Sequence, residues 1–319
     1  MSSEHLASAK DHLKGDLGGS WNILEGASGQ YPAPQIARRF GGASGAYSLR
    51  DIGANGTAVV EVRRDTGGGA GDDDNEDFSA EQITNGALAA FVGSGNSGYV
   101  SKWYDQSGNG NHATQTVPAN QPKIVDSSSG VLDMLDFFPS ANRCFLNISK
   151  FLGNGAARTC FVVLSNVETP SEKFYISNRG GGGGGWNFKN DNDLSLQGKV
   201  NLAYIGTGAG DRISNDVVIS RRSSTKQLIG FAATNTSAEL YEGGDLLAAN
   251  SDALSYVTSL ENIGAGKPET TSIGKQGNST GASGNELKMG EVIVYETNLS
   301  ADRSLIESDI ASYWGITLS

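Results

Sequence analysis

At 319 residues, 44 of them glycine and 37% hydrophobic, the chain suits one large β domain or two smaller ones, built of many short strands and long turns rather than helices. A formal charge of −11 excludes a broad basic face for nucleic acid and disfavours docking on anionic lipid. No stretch approaches the roughly 20 apolar residues of a membrane-spanning helix, so no membrane insertion is expected. Met1 to Gly15 is polar and carries no secretory signal. Cys144 and Cys160 each sit in an apolar run and read as buried free thiols; two cysteines make no disulfide framework.

In chain order, Glu4 to Lys14 places Leu6, Ala9 and Leu13 on a weak helical stripe that Gly15 stops. So short a helix needs something to pack on. Glycine, serine and proline follow, with Trp21 and Tyr31 alone among them. Residues 1–34 therefore read as an attachment arm, and residues 35–319 as one β domain. Pro34 to Asp51 is a second helical candidate, interrupted at Gly41-Gly42, and Thr57 to Arg63 alternates as the first strand. The acidic run Asp72 to Asp77 does not match the ligand spacing of a calcium loop and reads as solvated, so no metal is expected there. Ser79 to Val92 reads as a helix with Ser79 as N-cap and Gln82 completing a capping box.

Tyr99 to Tyr104 is a β-branched and aromatic strand, and it breaks into Asp105-Gln106-Ser107-Gly108-Asn109-Gly110-Asn111-His112. These residues bond their own backbone in turns, so Asp105, Ser107 and Asn109 are expected to satisfy loop amides at a corner of a sandwich. The sharper reading makes Trp103, Asp105, Asn109 and Asn111 contacts for a ligand. Further strands are expected at Lys123–Val125, Leu132–Phe138, Thr159–Leu164, Phe174–Ser177, Asp216–Ser220, Gln227–Ala232, Ala238–Tyr241 and Glu291–Tyr295. Gly180 to Gly185 has no Gly-Lys-Ser/Thr after it and reads as a rim loop rather than a phosphate loop. Ser300 to Tyr313 is the strongest helix, capped by Ser300, striped by Leu305, Ile306, Ile310 and Tyr313, and stopped by Gly315. Short strands with frequent turns predict a mainly β sandwich closed by a C-terminal helix.

Ala46-Tyr47-Ser48-Leu49-Arg50, Val59 to Arg64 and Trp103 to Gln115 resemble the start of the catalytic domain of fungal α-L-arabinofuranosidase B. Ile273-Gly274-Lys275-Gln276-Gly277-Asn278-Ser279-Thr280-Gly281-Ala282 resembles a second segment of it. The resemblance covers roughly residues 43–315 and implies a concanavalin A-like jelly roll of two antiparallel sheets. Gly290 to Tyr295, Leu299-Ser300 and the ending Tyr313-Trp314-Gly315-Ile316 look like the close of lectin-like sandwich domains. Such domains, with the same Tyr-Asp-Gln-Ser-Gly-Asn-Gly block, are frequent in bacteriophage structural and tail proteins.

A retaining glycosidase needs two carboxylates roughly 5 Å apart. The resemblance places the acid/base directly before Asn278-Ser279, where this chain has Gly277, and the nucleophile within residues 193–200, which hold Asp193 and no glutamate. The family's two adjacent cysteines have no counterpart either. Hydrolysis is not expected, because no amide replaces a lost carboxylate. Relocated pairs would be Glu239 with Glu242 and Asp245, or Glu286 with Glu291. His5, His12 and His112 offer no metal spacing and no triad. The expectation is a non-catalytic, lectin-like structural protein of a virus particle surface, as a decoration, fibre or tail protein. It would be made in the host cytoplasm, need no cofactor, self-associate into a homo-oligomer and contact other virion proteins through residues 1–34. A cell-surface or environmental polysaccharide would be met by Trp103, Asp105, Asn109, Asn111, Trp186 and Asn278, with Trp103, Trp186 and Tyr204 stacking on sugar faces or, alternatively, filling the core. The alternative function is an α-L-arabinofuranosidase-type glycoside hydrolase.

Overall fold

A computed structural model describes residues 42–67, 74–138, 144–150, 152, 157–166, 173–178, 186–190, 200–204, 212–213, 225–234, 238–250, 270–275 and 287–319. The arm at residues 1–34, the glycine run 180–185, the expected strand 216–220, and Asp193, Gly277, Asn278 and Glu286 lie outside the described residues.

In chain order the strands are β1 (Gly45–Ser48), β2 (Ala58–Asp65), β3 (Asn75–Ser79), β4 (Ser97–Trp103), β5 (Ala113–Thr114), β6 (Lys123–Asp126), β7 (Gly130–Asp136), β8 (Leu146–Ile148) and β9 (Arg158–Asn166). They continue with β10 (Lys173–Ser177), β11 (Trp186–Asn190), β12 (Val200–Tyr204), β13 (Arg212–Ile213), β14 (Gln227–Ala233), β15 (Ala238–Glu242), β16 (Asp245–Asn250), β17 (Thr271–Ile273) and β18 (Leu287–Tyr295). The helices are α1 (Ala80–Thr84), α2 (Ala87–Val92) and α3 (Arg303–Trp314).

Antiparallel pairing sorts the strands into two sheets. The first runs β16-β15-β14-β9-β18-β1. The second runs β3-β2-β4-β5-β8-β17-β10-β11-β12-β13. β6 and β7 bridge them, because β6 pairs with β4 while β7 pairs with both β6 and β18. The result is the mainly β jelly-roll sandwich that the strand spacing predicts.

The larger apolar core lies between the sheets, with Trp103, Leu146, Ile148, Ile176, Trp186 and Phe188 of the second sheet packed with Val162, Ile229, Phe231, Val292 and Val294 of the first. A second core covers the other face of the first sheet, where Phe161, Val163, Leu228, Ile293 and Tyr295 meet Ile306, Ile310 and Trp314 of α3. β9, β14 and β18 are thus buried on both faces, which is why they read as continuous apolar runs rather than alternating ones.

Three sequence expectations change. The helix expected from Pro34 to Asp51 is, over residues 45–48, strand β1 on the edge of β18. A Cβ on Gly45 would lie 2.7 Å from the Leu152 side chain, so tertiary packing decides this stretch. The acidic run read as a solvated loop becomes edge strand β3 from Asn75 onward, its charges turned to water as edges require. The single helix expected over 79–92 is two, because Gly86 adopts φ +94° between them. Its capping box does form: Ser79 Oγ accepts from Gln82 N at 3.3 Å and Gln82 Oε1 accepts from Ser79 N at 2.8 Å.

Helix α3 also differs in its inward face. Ile306 and Ile310 are buried as expected, but Leu305 is 58% and Tyr313 52% exposed, and Trp314 turns in instead. Its indole N–H donates to Glu291 Oε2 at 3.0 Å. Its ring lies over Gly290, where a Cβ would come within 2.4 Å of it. The residue before the first turn is Asp302, not Ser300; Gly315 closes the helix at φ +67° as expected. Glu291 is the centre of a buried network. Arg50 grips it with two bonds, Nε to Oε2 at 2.8 Å and Nη2 to Oε1 at 3.0 Å, and Ser48 Oγ donates to Oε2 at 2.8 Å. Arg50 Nη2 also donates to Asp309 Oδ2 of α3 at 2.8 Å. Burial opposes the Arg50 charge, but Glu291 and Asp309 outweigh it and hold its pKa above the ordinary value.

Removing one partner leaves the other charge buried alone, which costs about 3–5 kcal/mol. Glu291→Ala is therefore expected to lower unfolding free energy by about that amount, and the double replacement Arg50→Met with Glu291→Leu to recover most of it. Chemical denaturation of the variants measures both.

Candidate functional site

The block from Tyr104 to His112 leaves the end of β4 in the second sheet and crosses to β1 in the first. Asp105 makes the crossing. Its Oδ1 accepts from Ala46 N of β1 and from Ser107 N, both at 2.9 Å. Its Oδ2 accepts from Ser107 Oγ at 2.8 Å and from Asn111 N at 2.9 Å. Gln106 continues the clamp. Its N–H donates to Ala46 O at 2.7 Å, its Nε2 to Ser48 O at 2.9 Å and Arg50 O at 3.0 Å, and its Oε1 accepts from Ile52 N at 2.7 Å. The sequence places this glutamine inside the turn block but gives no sign that its side chain satisfies three backbone groups.

The two asparagines tie down the chain just before β1. Asn109 Nδ2 donates to Ala43 O at 2.7 Å and to Ser107 Oγ at 3.0 Å, while Asn111 Nδ2 donates to Ser44 O at 2.7 Å. The Tyr47 hydroxyl donates to Asn111 O. Burial, assisted by the Asp105 charge, raises the Tyr47 phenol well above its ordinary pKa and keeps that proton in place. His112 Nδ1 accepts from Asp105 N at 3.1 Å, and its ring meets Tyr104 edge-on at 4.9 Å between centroids.

The block thus works as a corner clip. Asp105 and Ser107 are buried and bonded internally, Asn111 is half-buried, and Asn109 is exposed with its amide nitrogen engaged. His112 bonds Asp105 N rather than Ser107, so no nucleophile and base are paired here. The two tryptophans offered for sugar stacking are both 0% exposed. Trp103 packs 5.9 Å from Tyr47 and Trp186 5.5 Å from Phe231, centroid to centroid. These rings are core, and no face of either is open to stack on a sugar. Asn278 lies outside the described residues, and of the Tyr204 side chain nothing is described.

The carboxylates proposed as relocated pairs are placed as follows. Glu291 is held by Arg50, Ser48 and Trp314. Glu239 accepts from the Tyr241 hydroxyl on the face toward α3, where the Arg303 guanidinium stacks on Tyr241 at 3.9 Å. Strand alternation puts Glu242 on the other face, where it accepts from Gln227 Nε2 at 2.9 Å. Asp245 stands opposite Glu242 across the β15–β16 turn and is exposed. Among the described residues no group of three or more His, Cys, Asp or Glu side chains is gathered as metal ligands would be. Cys144 and Cys160 are buried thiols outside any disulfide, and burial pushes the Cys144 thiol up to about 12.

Replacing Asp105 by alanine strips an acceptor from four donors, three of them buried, at about 1.5–3 kcal/mol for each charge-assisted bond lost without replacement. Asp105→Ala is expected to unfold well below the wild type in thermal scans, with Asp105→Asn between the two. His112 supplies a pH dependence. Desolvation lowers its pKa; Lys102 adds to this and Asp105 opposes it. A histidine whose folded pKa lies below its unfolded value, about 6.5, contributes stability that is complete above that value and is lost as pH falls through the folded pKa. The stability gap between wild type and His112→Gln is therefore expected to narrow from pH about 7 towards about 5, as urea titrations at each pH would read.

No family model matches this sequence, and no curated protein matches it. Among solved structures the chain is similar to GH54 α-L-arabinofuranosidases. A mutant soaked with 4-nitrophenyl α-L-arabinofuranoside aligns with a TM-score of 0.60 at 14% identity, over 86% of this chain and 63% of that one. A GH54 enzyme soaked with a cyclic sulfate inhibitor aligns at 0.56 and 13% identity over the same shares of the two chains. An arabinofuranosidase complexed with arabinofuranosyl-α-1,2-xylobiose aligns at 0.52 and 13%, again over 86% and 63%. This chain spans 63% of those enzymes, and at this identity the likeness is one of fold.

Proposed function

We propose that this chain is a non-catalytic, lectin-like sandwich on the surface of a virus particle, as a decoration, fibre or tail protein, and that it recognises glycans. The observation that carries the non-catalytic part is the bonding of the acidic side chains. The carboxylate of the turn block is filled by four donors, and the carboxylate central to β18 is neutralised by a buried arginine. Neither is free to move a proton to or from a glycosidic oxygen. Gly277 adds to this, since it stands where the resemblance to α-L-arabinofuranosidase B calls for the acid.

The fold shared with arabinofuranosidases, crystallised with an arabinofuranoside and an arabinofuranosyl xylobiose, supports a sugar ligand. The virion setting is supported by the turn block and the C-terminal ending, which resemble sandwich domains frequent in bacteriophage structural and tail proteins. Residues 1–34 would join the domain to other particle proteins.

A glycan array probed with the whole chain is expected to retain at least one saccharide, while 4-nitrophenyl α-L-arabinofuranoside is expected to release no nitrophenol above the buffer rate. Turnover that disappears when one carboxylate is changed to its amide would replace this reading with a glycoside hydrolase. An empty array would leave only a scaffold.

A further inference from the structure

Among the described residues four large apolar side chains are exposed, Val117, Leu246, Leu305 and Tyr313, and two of them stand on α3. Leu305, Asp309 and Tyr313 follow one another at four-residue steps, so they form one stripe along the solvent side of the helix. The stripe is about 12 Å long at ~1.5 Å per residue. A lone exposed aromatic needs no explanation. Tyr313 differs in being fixed, and in having an unused acceptor one turn away.

The ring is held from beneath. The Arg50 guanidinium lies over one face of Tyr313, 5.0 Å from the centroid, and Trp314 meets the ring at 81° with centroids 5.2 Å apart. Arg50 is itself fixed, since it is buried and bonded to both Glu291 and Asp309. The 52% of Tyr313 left open is therefore the outward side of a ring already set in place. Asp309 is 39% exposed at its side chain. Its Oδ2 is taken by Arg50, and among the described residues its Oδ1 has no hydrogen-bond partner. The Tyr313 hydroxyl has none among them either. The two oxygens of a carboxylate are equivalent, so the spare acceptor does not depend on which way the group is turned.

We infer that this stripe is a binding site for a neutral saccharide, whose C–H face stacks on the Tyr313 ring while one of its hydroxyls donates to Asp309 Oδ1. This deepens, and rests on, the glycan-binding reading above. A ring already fixed in place loses little freedom on binding, and an apolar face with a few polar groups at its rim is what orients a small ligand. Leu305 continues the stripe beyond the carboxylate and gives the next unit of an oligosaccharide an apolar contact. Charge selects the ligand class. One cation, Arg50, stands against two carboxylates, Glu291 and Asp309, and the remaining negative charge opposes an acidic or sulfated sugar. A cationic ligand would stack on a ring whose other face already holds the Arg50 guanidinium, and like charge opposes it. A second copy docking helix on helix about a twofold would bring Asp309 against its own counterpart.

The test is calorimetric titration of the full chain with linear neutral oligosaccharides of glucose, mannose, xylose and arabinose. The wild type is expected to bind at least one of them, with an affinity that added salt leaves unchanged. Tyr313→Ala is expected to weaken that binding roughly tenfold, the worth of one stacked ring, while Tyr313→Phe keeps most of it. Asp309→Ala is expected to cost roughly tenfold as well, the worth of one charge-assisted bond. Val117→Ala, exposed on the loop before β6, is expected to bind as the wild type does. Tyr313 is exposed, so its variants keep the fold. A saccharide bound equally by the wild type and by Tyr313→Ala, or lost as fully in Tyr313→Phe as in Tyr313→Ala, overturns the stripe as the site while the glycan reading stands. A change of oligomer size in Tyr313→Ala, read by light scattering, would assign the stripe to a contact between copies and overturn it too. A wild type that binds none of the saccharides, here or on the array, overturns both readings.

Discussion

The carboxylate of Asp105 decides how the two sheets meet. It sits at the end of β4, in the second sheet, and takes one of its donors from Ala46 in β1, on the edge of the first. Its other three donors belong to its own turn, so the turn cannot relax without releasing the strand. Gln106 then fixes residues 48 to 52 in register. That register is what sends Tyr47 into the inter-sheet core and Ala46 and Ser48 to the opposite face. A slip of one residue would exchange the two faces and bring Tyr47 out.

The second core follows from the same register. Only with Ser48 outward and opposite Glu291 does Arg50 reach the Glu291 carboxylate, and only then does Trp314 find its acceptor there. A buried ion pair by itself is weak evidence for stability, because desolvation offsets much of the attraction. Its effect here is on placement. Three elements, β1, β18 and α3, each supply part of one network, and each part is unsatisfied in any other docking. The bulge at Gly290 makes room for the indole that closes it. The corner clip therefore positions the C-terminal helix indirectly, through a strand of four residues.

Much of this was legible in the sequence, and the misses share a cause. β9, β14 and β18 announced themselves as apolar runs, because strands covered on both faces carry no alternation to be confused by. The turn block was legible as a self-bonding corner, because Asp, Ser and Asn next to glycine have few other uses in a loop. β1 was read as helix and β3 as loop since both owe their state to a partner strand distant in sequence. Pairing with Val292 and Ile293 makes Ala46-Tyr47 a strand; no local propensity does. In α3 the period placed Ile306 and Ile310 correctly, but the choice between Tyr313 and Trp314 rested on Glu291 and Gly290, which no helical wheel contains. Trp103 and Trp186 could be core or sugar platform by composition, and strand alternation within a two-sheet fold makes them core.

The same ambiguity governs the polar residues. A turn that binds itself and a surface that binds a ligand draw on one set of side chains, so residue type alone cannot separate them. Counting donors against acceptors can. In the turn block the count closes: Asp105 is filled, and the nitrogens of Asn109 and Asn111 are engaged by backbone carbonyls. At Asn187 it does not close: the side chain is 1% exposed, its Oδ1 accepts from Ser177 Oγ, and its Nδ2 has no partner. Folding tolerates a buried, unused donor only where the rest of the structure outweighs its cost. The sandwich supplies that surplus through its two cores and its clipped corner. The residues that look most like a site in the sequence therefore build the frame.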